Sequence, residues 1–228
     1  MKCAIAIFAK TIGLSPVKTR LANDIGTGRA ETFFRMSVAC VEETVSEASE
    51  RNQELFPHWA LAEEEAPALK QWSSFPAIWT GEGGLGARLA NVSETLLQDH
   101  DAVMLIGTDS PQLRPEIFGQ VLDLLSAFPE DCVAGPARDG GFYLFGSARP
   151  LGRKIWEAVS YSQDTTLKSL QSQIELCDRK VRHLGVEEDV DTIESLASLR
   201  KSLSQSLPNL FASQRKLLDW LNDESEGR

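Results

Sequence analysis

The 228-residue sequence contains few of the residues that build zinc sites or disulfide frameworks, with only four cysteines and three histidines. No two cysteines form a C-x-x-C pair, and the histidines are too far apart for metal-ligand spacing, which argues against a zinc site. All four cysteines lie in apolar or helical contexts: Cys3, Cys40, Cys132 and Cys177. We therefore expect buried free thiols and a reducing, cytoplasmic location.

Long apolar runs and an excess of positive charge are also lacking. No apolar stretch approaches the roughly 20 residues that span a bilayer. The apolar patch at the N-terminus is closed by Lys10 and has no small-residue cleavage site, which favours a first strand over a signal peptide. The formal net charge of −10 argues against a nucleic acid or an anionic membrane as partner. Any phosphorylated ligand would need a local cluster of basic residues.

Strand-like and helix-like patterns alternate along the chain. Continuous apolar runs at 3–9 and 102–106 have the length of buried strands, and helical stripes begin near residues 28, 85 and 115. This alternation predicts an α/β fold with a mostly parallel sheet covered on both faces. Two short strands around 137–141 make a mixed sheet the better expectation. We expect one domain over 1–205 and a C-terminal amphipathic helix over 206–228, packed on this domain or on a second subunit of a homodimer.

Ligands bind such sheets beyond the carboxyl ends of the strands, which places the loops after Ala9, Thr80 and Gly107 on one rim. The first loop contains Lys10, Lys18 and Arg20, which suit phosphate binding but also suit a solvated basic loop. A Walker A loop is excluded in practice, because Val17 stands where a glycine precedes the lysine.

The second loop, "GEGGLG", contains a literal G-x-G-x-x-G at Gly81, Gly83 and Gly86. It follows a strand and opens a helix, as a dinucleotide-binding fingerprint does, so an NAD-binding oxidoreductase is a lesser alternative. The motif is not in the first βαβ unit, however, its glycines make a chance match easy, and a flexible turn at the start of a helix explains it without a ligand. A third loop, "ARDGG", contains Asp139 and Gly140, which an ordinary hairpin turn also explains.

Two acids stand at loop positions where either a structural or a ligand-binding role fits. Asp109 follows a buried strand directly and precedes Ser110-Pro111, so it suits a turn or a metal site. Asp191 precedes an apolar-periodic run, where it is a candidate N-cap with Glu194 as its capping-box partner.

Five segments in this order and spacing resemble one bacterial family: "FAKTIGLSPVKTRL", "GEGGLGARL", "LIGTDSPQL", "GPARDGGFYLFG" and "DVDTIESL". The family consists of glycosyltransferase-like proteins with a nucleotide-diphospho-sugar-transferase fold, some described as arsenosugar-biosynthesis or radical-SAM-associated transferases. The resemblance covers about residues 4–199. It implies a glycosyltransferase-A fold, a Rossmann-like αβα sandwich with a mixed, mostly parallel sheet.

The resemblance also implies roles for individual residues. Asp109 would bind a divalent metal, Mg²⁺ or Mn²⁺, with Asp191 as a second ligand, and both Asp109 and Lys18 would serve catalysis. The remaining roles divide between nucleotide or phosphate binding (Lys10, Lys18, Arg20, Gly83, Gly84) and acceptor or sugar binding (Asp139, Gly140, Gly141). Two departures stand out: residues 11–16 read T-I-G-L-S-P where the family often has Pro-x-Pro-Gly, and Ser195 stands where related sequences often have Asp.

The function that these patterns favour is metal-dependent glycosyl transfer from a nucleotide-diphospho-sugar to a small-molecule acceptor. The alternative is nucleotidyl transfer, in which an NTP reacts with a small phosphorylated or cofactor acceptor and pyrophosphate leaves. Both reactions depend on positioning and electrostatics, so neither needs a Ser-His-Asp or Cys-His set.

Overall fold

The computed structural model describes residues 1–66 and 69–226. Its centre is a seven-stranded sheet with the order β3-β2-β1-β4-β6-β5-β7. The strands are β1 (Cys3–Ala9), β2 (Leu55–Leu61), β3 (Ala77–Trp79), β4 (Ala102–Ile106), β5 (Cys132–Pro136), β6 (Phe142–Ser147) and β7 (Val181–His183). Among the strands of the described residues, only β6 runs antiparallel to its neighbours, β4 and β5. The expected mixed, mostly parallel sheet is therefore confirmed.

Eight α-helices surround the sheet in the described part of the chain. They are α1 (Thr19–Ile25), α2 (Thr27–Arg51), α3 (Leu85–Leu96), α4 (Glu116–Ala127), α5 (Arg153–Glu157), α6 (Thr166–Glu175), α7 (Ile193–Gln205) and α8 (Ala212–Glu226). Successive residues of β1 point to opposite faces. Ile5 and Ile7 pack with α2 and α4 on one face, and Ala4 and Ala6 pack with α3, α5 and α6 on the other. The expected αβα sandwich is confirmed.

A third apolar cluster joins α1, α2, α7 and α8 beside the sheet. Leu21, Phe33, Leu199 and Leu217 are buried in it. The backbone N–H of Ser213 at the start of α8 donates to a carboxylate oxygen of Glu43 on α2, at 2.8 Å. Helix α8 therefore buries its apolar face against its own chain, and it begins at Ala212 instead of the expected residue 206.

The long helix expected from about residue 28 is present as α2, which begins at Thr27. The short α1 before it was not expected, because its seven residues are too few for a periodic signal. Cys177 is exposed, contrary to expectation, because it follows the end of α6, whereas Cys3, Cys40 and Cys132 are buried. None of the helices in the described part of the chain has the length and apolar character needed to cross a membrane.

Candidate active site

A cleft of about 1050 Å³ opens at the edge of the sheet where β1 and β4 end. Strand β6 is antiparallel, so its first residues reach the same edge as the last residues of β4. This is the edge at which open α/β sheets bind ligands. Seven of the expected site residues line the cleft: Lys10, Lys18, Arg20, Asp109, Asp139, Gly141 and Asp191. Gly83, Gly84 and Gly140 are described but do not belong to this lining.

The ammonium of Lys18 lies between the two expected metal ligands. Its Nζ is 2.6 Å from Oδ1 of Asp109 and 3.0 Å from Oδ1 of Asp191. It also donates to the carbonyl oxygen of Val190. The Lys18 side chain is only 3% exposed, whereas the two carboxylates are 44% and 41% exposed. The lysine is therefore internal, and the two acids border the cleft.

The surroundings of Lys18 keep it charged. Burial alone would lower the pKa of its ammonium, but the carboxylates of Asp109 and Asp191 outweigh burial and raise the pKa above its usual range. The ring of Phe33 adds a cation–π contact, with its centroid 5.5 Å from Nζ. An ammonium has three N–H donors, and three protein oxygens accept them. In this arrangement Lys18 has no donor left for a phosphate.

Backbone contacts bring the two acids together. The N–H of Val190 donates to the carbonyl oxygen of Asp109 at 2.9 Å, which ties the late loop to the end of β4. Next to this bond, the hydroxyl of Ser110 donates to a carboxylate oxygen of Asp189. These two links join segments that are far apart in the sequence, and they explain why Asp109 and Asp191 meet.

The expected capping role of Asp191 is wrong, because helix α7 begins one residue later than that role requires. Thr192 is the N-cap and forms a capping box with Ser195, not with Glu194. The Ser195 hydroxyl accepts from the backbone N–H groups of Thr192 at 2.9 Å and Asp191 at 3.0 Å. The Asp191 carboxylate is therefore free of the helix and directed to Lys18.

Negative charge exceeds positive charge around Lys18. Burial, with a smaller contribution from the nearby carboxylates of Asp109 and Asp139, raises the pKa of Asp189 to about 6 in spite of the hydrogen bond from Ser110 and the charge of Lys18. The raised pKa of Asp189 shows that the negative charge here is not fully balanced. A bound cation would therefore be stabilised at this position.

The donor set fits a divalent cation of the Mg²⁺ type. In the described residues, no three His, Cys, Asp or Glu side chains enclose a metal position by themselves. Mg²⁺ is commonly held by one or two carboxylates, with water and substrate phosphate oxygens completing its shell. Asp109 and Asp191 supply two partly exposed carboxylates, each of which contacts the Lys18 ammonium through Oδ1. The second oxygen of each could serve as a ligand.

Lys10 and Arg20 are the exposed cations of the first loop. Lys10 makes one long hydrogen bond, 3.4 Å, to the carbonyl oxygen of Pro16. Arg20 lines the cleft and makes no hydrogen bond or ion pair with any residue that the structure describes. Of the three basic residues expected here, these two have donors available to an anionic ligand.

The glycine loop before α3 is held in place by packing. Arg88 donates to the carbonyl oxygens of Gly83 at 3.0 Å and Ala62 at 2.7 Å, which ties the loop to the end of β2. A Cβ on Gly86 would overlap the carbonyl oxygen of Trp156 in α5. Close helix packing therefore explains this glycine without a dinucleotide.

A segment that the sequence did not single out forms the opposite wall of the cleft. Residues 161–164 and Thr166 line it beside Asp139, Gly141 and Phe142. Gly140 has a φ of +88°, and a Cβ there would overlap the carbonyl oxygen of Asp164. No local pattern in the sequence identifies this segment, because its contact with Gly140 depends on the tertiary fold.

The chain belongs to the family DUF2064, described as "Uncharacterized protein conserved in bacteria", which matches residues 42–163. The matched region contains Asp109 and Asp139 but neither Lys18 nor Asp191. No protein of curated function matches the sequence significantly.

Many solved structures share the fold, and three of them are compared with this chain. A provisionally assigned nucleotide-diphospho-sugar transferase from Desulfovibrio desulfuricans G20 is 21% identical, covers 99% of this chain and 96% of its own, and gives a TM-score of 0.83. CMP:2-keto-3-deoxy-manno-octonic acid synthetase, solved with CTP, is 15% identical over 91% and 100% of the chains, with a TM-score of 0.59. A cytidylyltransferase from Leptospira borgpetersenii serovar Hardjo-bovis (strain JB197) is 15% identical over 99% and 96%, with a TM-score of 0.57. The structural similarity over nearly the whole chain shows that this protein has the nucleotide-diphospho-sugar-transferase fold.

Proposed function

We propose that the protein is a metal-dependent transferase that moves a glycosyl group from a nucleotide-diphospho-sugar to a small-molecule acceptor. One observation carries the proposal. Two acids from distant segments, Asp109 and Asp191, converge at the cleft where the strands end, next to exposed basic residues. Such a set suits a diphosphate that binds together with a divalent cation. The shared fold with nucleotide-using transferases supports this choice.

The roles of the residues follow from their exposure. Asp109 and Asp191 would hold Mg²⁺ or Mn²⁺, which when bound neutralises charge on the diphosphate leaving group. Lys10 and Arg20 would bind the phosphate oxygens, since their donors are available. The contacts of Lys18 with one oxygen of each carboxylate hold Asp109 and Asp191 in place. Little reorganisation of these side chains is therefore needed when the donor binds.

The acceptor would lie against the wall formed by 139–143 and 161–166. Asp139 and Asp164 line this wall, and its other described lining residues include no lysine or arginine. A phosphorylated acceptor would meet carboxylates there without a cation to pair with. We therefore propose an acceptor that presents hydroxyl or amino groups; the implied link to arsenosugar biosynthesis stays a prediction.

Nucleotidyl transfer is the second candidate, since the synthetase and the cytidylyltransferase share the fold. The absence of lysine and arginine from the described acceptor wall disfavours nucleotidyl transfer to a phosphorylated acceptor. Nucleotidyl transfer to a hydroxyl group remains compatible with this wall. An NAD-dependent oxidoreductase is less favoured, because packing accounts for Gly86 of the glycine motif.

Phosphorus NMR of the products separates these reactions. The protein is incubated with Mn²⁺, a neutral polyol mixture and either nucleotide-diphospho-sugars or NTPs. Glycosyl transfer releases a nucleoside diphosphate, whereas nucleotidyl transfer releases pyrophosphate from the NTP. We expect nucleoside diphosphate release that depends on acceptor and is lost in Asp191→Asn. Pyrophosphate release from an NTP would establish the second candidate instead.

A further inference from the structure

The most unusual feature of the cleft is a lysine where a metal-binding site would be expected to hold only acids and water. The Lys18 ammonium contacts one oxygen of each proposed metal ligand, at 2.6 and 3.0 Å, and its third acceptor is the Val190 carbonyl oxygen. With these three contacts, Lys18 has no N–H donor left for a substrate. The function of Lys18 must therefore be exerted through Asp109 and Asp191.

The charge of the Lys18 ammonium stabilises the two carboxylates of Asp109 and Asp191. Asp109 and Asp191 each place one carboxylate oxygen against the same nitrogen atom of Lys18. Without a cation between them, two ionised carboxylates this close would repel each other strongly. The buried ammonium removes that repulsion and fixes the direction of both side chains. It thus performs the charge balancing that a divalent cation bound between the two carboxylates would perform.

The backbone at Lys18 is held in a costly conformation that serves this contact. Lys18 has a φ of 46° and a ψ of 44°, the left-handed region that residues with a Cβ rarely adopt. Val17, directly before it, is buried, which anchors the turn. A strained residue of this kind persists only where its surroundings hold it, and such residues concentrate at functional sites.

We propose that Lys18 is a positioning residue that acts as a stand-in cation. It holds Asp109 and Asp191 ready for a divalent metal, and it suppresses binding of the free metal in the absence of a nucleotide. The inference rests on the proposed function, in which these two acids bind Mg²⁺ or Mn²⁺. Since Lys18 cancels part of their charge, the metal enters together with the diphosphate, whose oxygens supply the missing ligands and negative charge.

Electron paramagnetic resonance with Mn²⁺ alone tests this inference. Wild type, Lys18→Met and Lys10→Met are titrated without nucleotide. Methionine keeps the length of the lysine stem and removes its charge, and Lys10 is a matched control because it lines the same cleft without contacting either acid. We expect wild type and Lys10→Met to bind Mn²⁺ with a Kd of about 1 mM or weaker. Lys18→Met should bind at least about tenfold more tightly, because a unit charge beside the metal has been removed.

A purely structural role for Lys18 would not tighten metal binding. Lys18→Arg, which keeps the charge, should bind Mn²⁺ as weakly as wild type. Unchanged or weaker Mn²⁺ binding in Lys18→Met would overturn the inference. If Lys18→Met does not fold, the Mn²⁺ titration of the wild type is the test. Micromolar binding of Mn²⁺ without nucleotide overturns the inference, and weak binding supports it. Failure of the proposed function appears separately, as the absence of any nucleotide-dependent product.

Discussion

Replacing Gly140 by alanine tests how the two walls of the cleft are joined. Gly140 has a φ of +88°, and an added Cβ would overlap the backbone carbonyl oxygen of Asp164. The N–H of Leu167 also donates to the carbonyl oxygen of Gly140, at 2.9 Å. Alanine would therefore impose backbone strain and push away the segment that forms the acceptor wall.

The two costs can be separated with a matched glycine. Positive-φ strain costs about 1–3 kcal/mol for a residue with a Cβ, and forced displacement of packed atoms costs about 1–3 kcal/mol more. Gly152 has a φ of +80° but no atom within 4 Å of an added Cβ, so Gly152→Ala incurs only the first cost. Gly140→Ala should therefore lose about 1–3 kcal/mol more than Gly152→Ala, or roughly 2–12 °C in Tm.

Urea unfolding of the two variants, followed by tryptophan fluorescence, measures this difference. Equal m-values would show that the unfolded states are comparable. Equal losses of stability in Gly140→Ala and Gly152→Ala would refute the reasoning, because Asp164 would then exert no constraint on the turn.

Three further predictions concern other parts of the chain. Arg20→Gln should weaken binding of nucleoside diphosphates in Mn²⁺ about tenfold or more, since a charge-assisted hydrogen bond is lost; calorimetry in which affinity is unchanged would contradict this. Thr192→Ala should cost about 1 kcal/mol in urea unfolding, because it removes the cap of α7; no loss would show that Ser195 suffices. Burial lowers the pKa of His58, with His100 adding to the effect, so the unfolded chain binds a proton more readily and wild type loses stability as the pH falls through 6.5. His58→Gln should lose less stability than wild type between pH 7 and pH 5, with the difference absent near pH 8; parallel pH profiles would contradict this.

The sheet and its rim were predictable from the sequence. Strand-length apolar runs such as 3–9 and 102–106 are visible because both faces of these strands are buried, and the rule for ligand sites in α/β sheets then places the loops that follow them together. Asp109 and the basic loop were assigned to one rim for this reason, and the structure brings Lys18 to 2.6 Å from Asp109.

Other parts of the site have no signal in a single sequence. The sequence gives no sign that the three basic residues of the first loop differ, whereas in the structure the side chain of Lys18 is buried and Lys10 and Arg20 are exposed. The start of α7 differed by one residue from expectation, which changed Asp191 from a cap into a partner of Lys18. The wall at 161–166 depends on a long-range contact with Gly140, which no local pattern reveals.

The most direct test of the account is a thermal-shift measurement in Mn²⁺ with UDP, GDP, CDP, ADP and their sugars. Wild type is compared with Asp109→Asn and with Asp123→Asn, a control that removes an exposed carboxylate on α4 outside the cleft lining. A ligand at about 100 times its Kd adds about 2.7 kcal/mol, which for a chain of this size raises Tm by roughly 5–11 °C. The account predicts a metal-dependent rise with one nucleotide series in wild type and Asp123→Asn that disappears in Asp109→Asn. A rise that persists in Asp109→Asn, or none with any nucleotide, would contradict it.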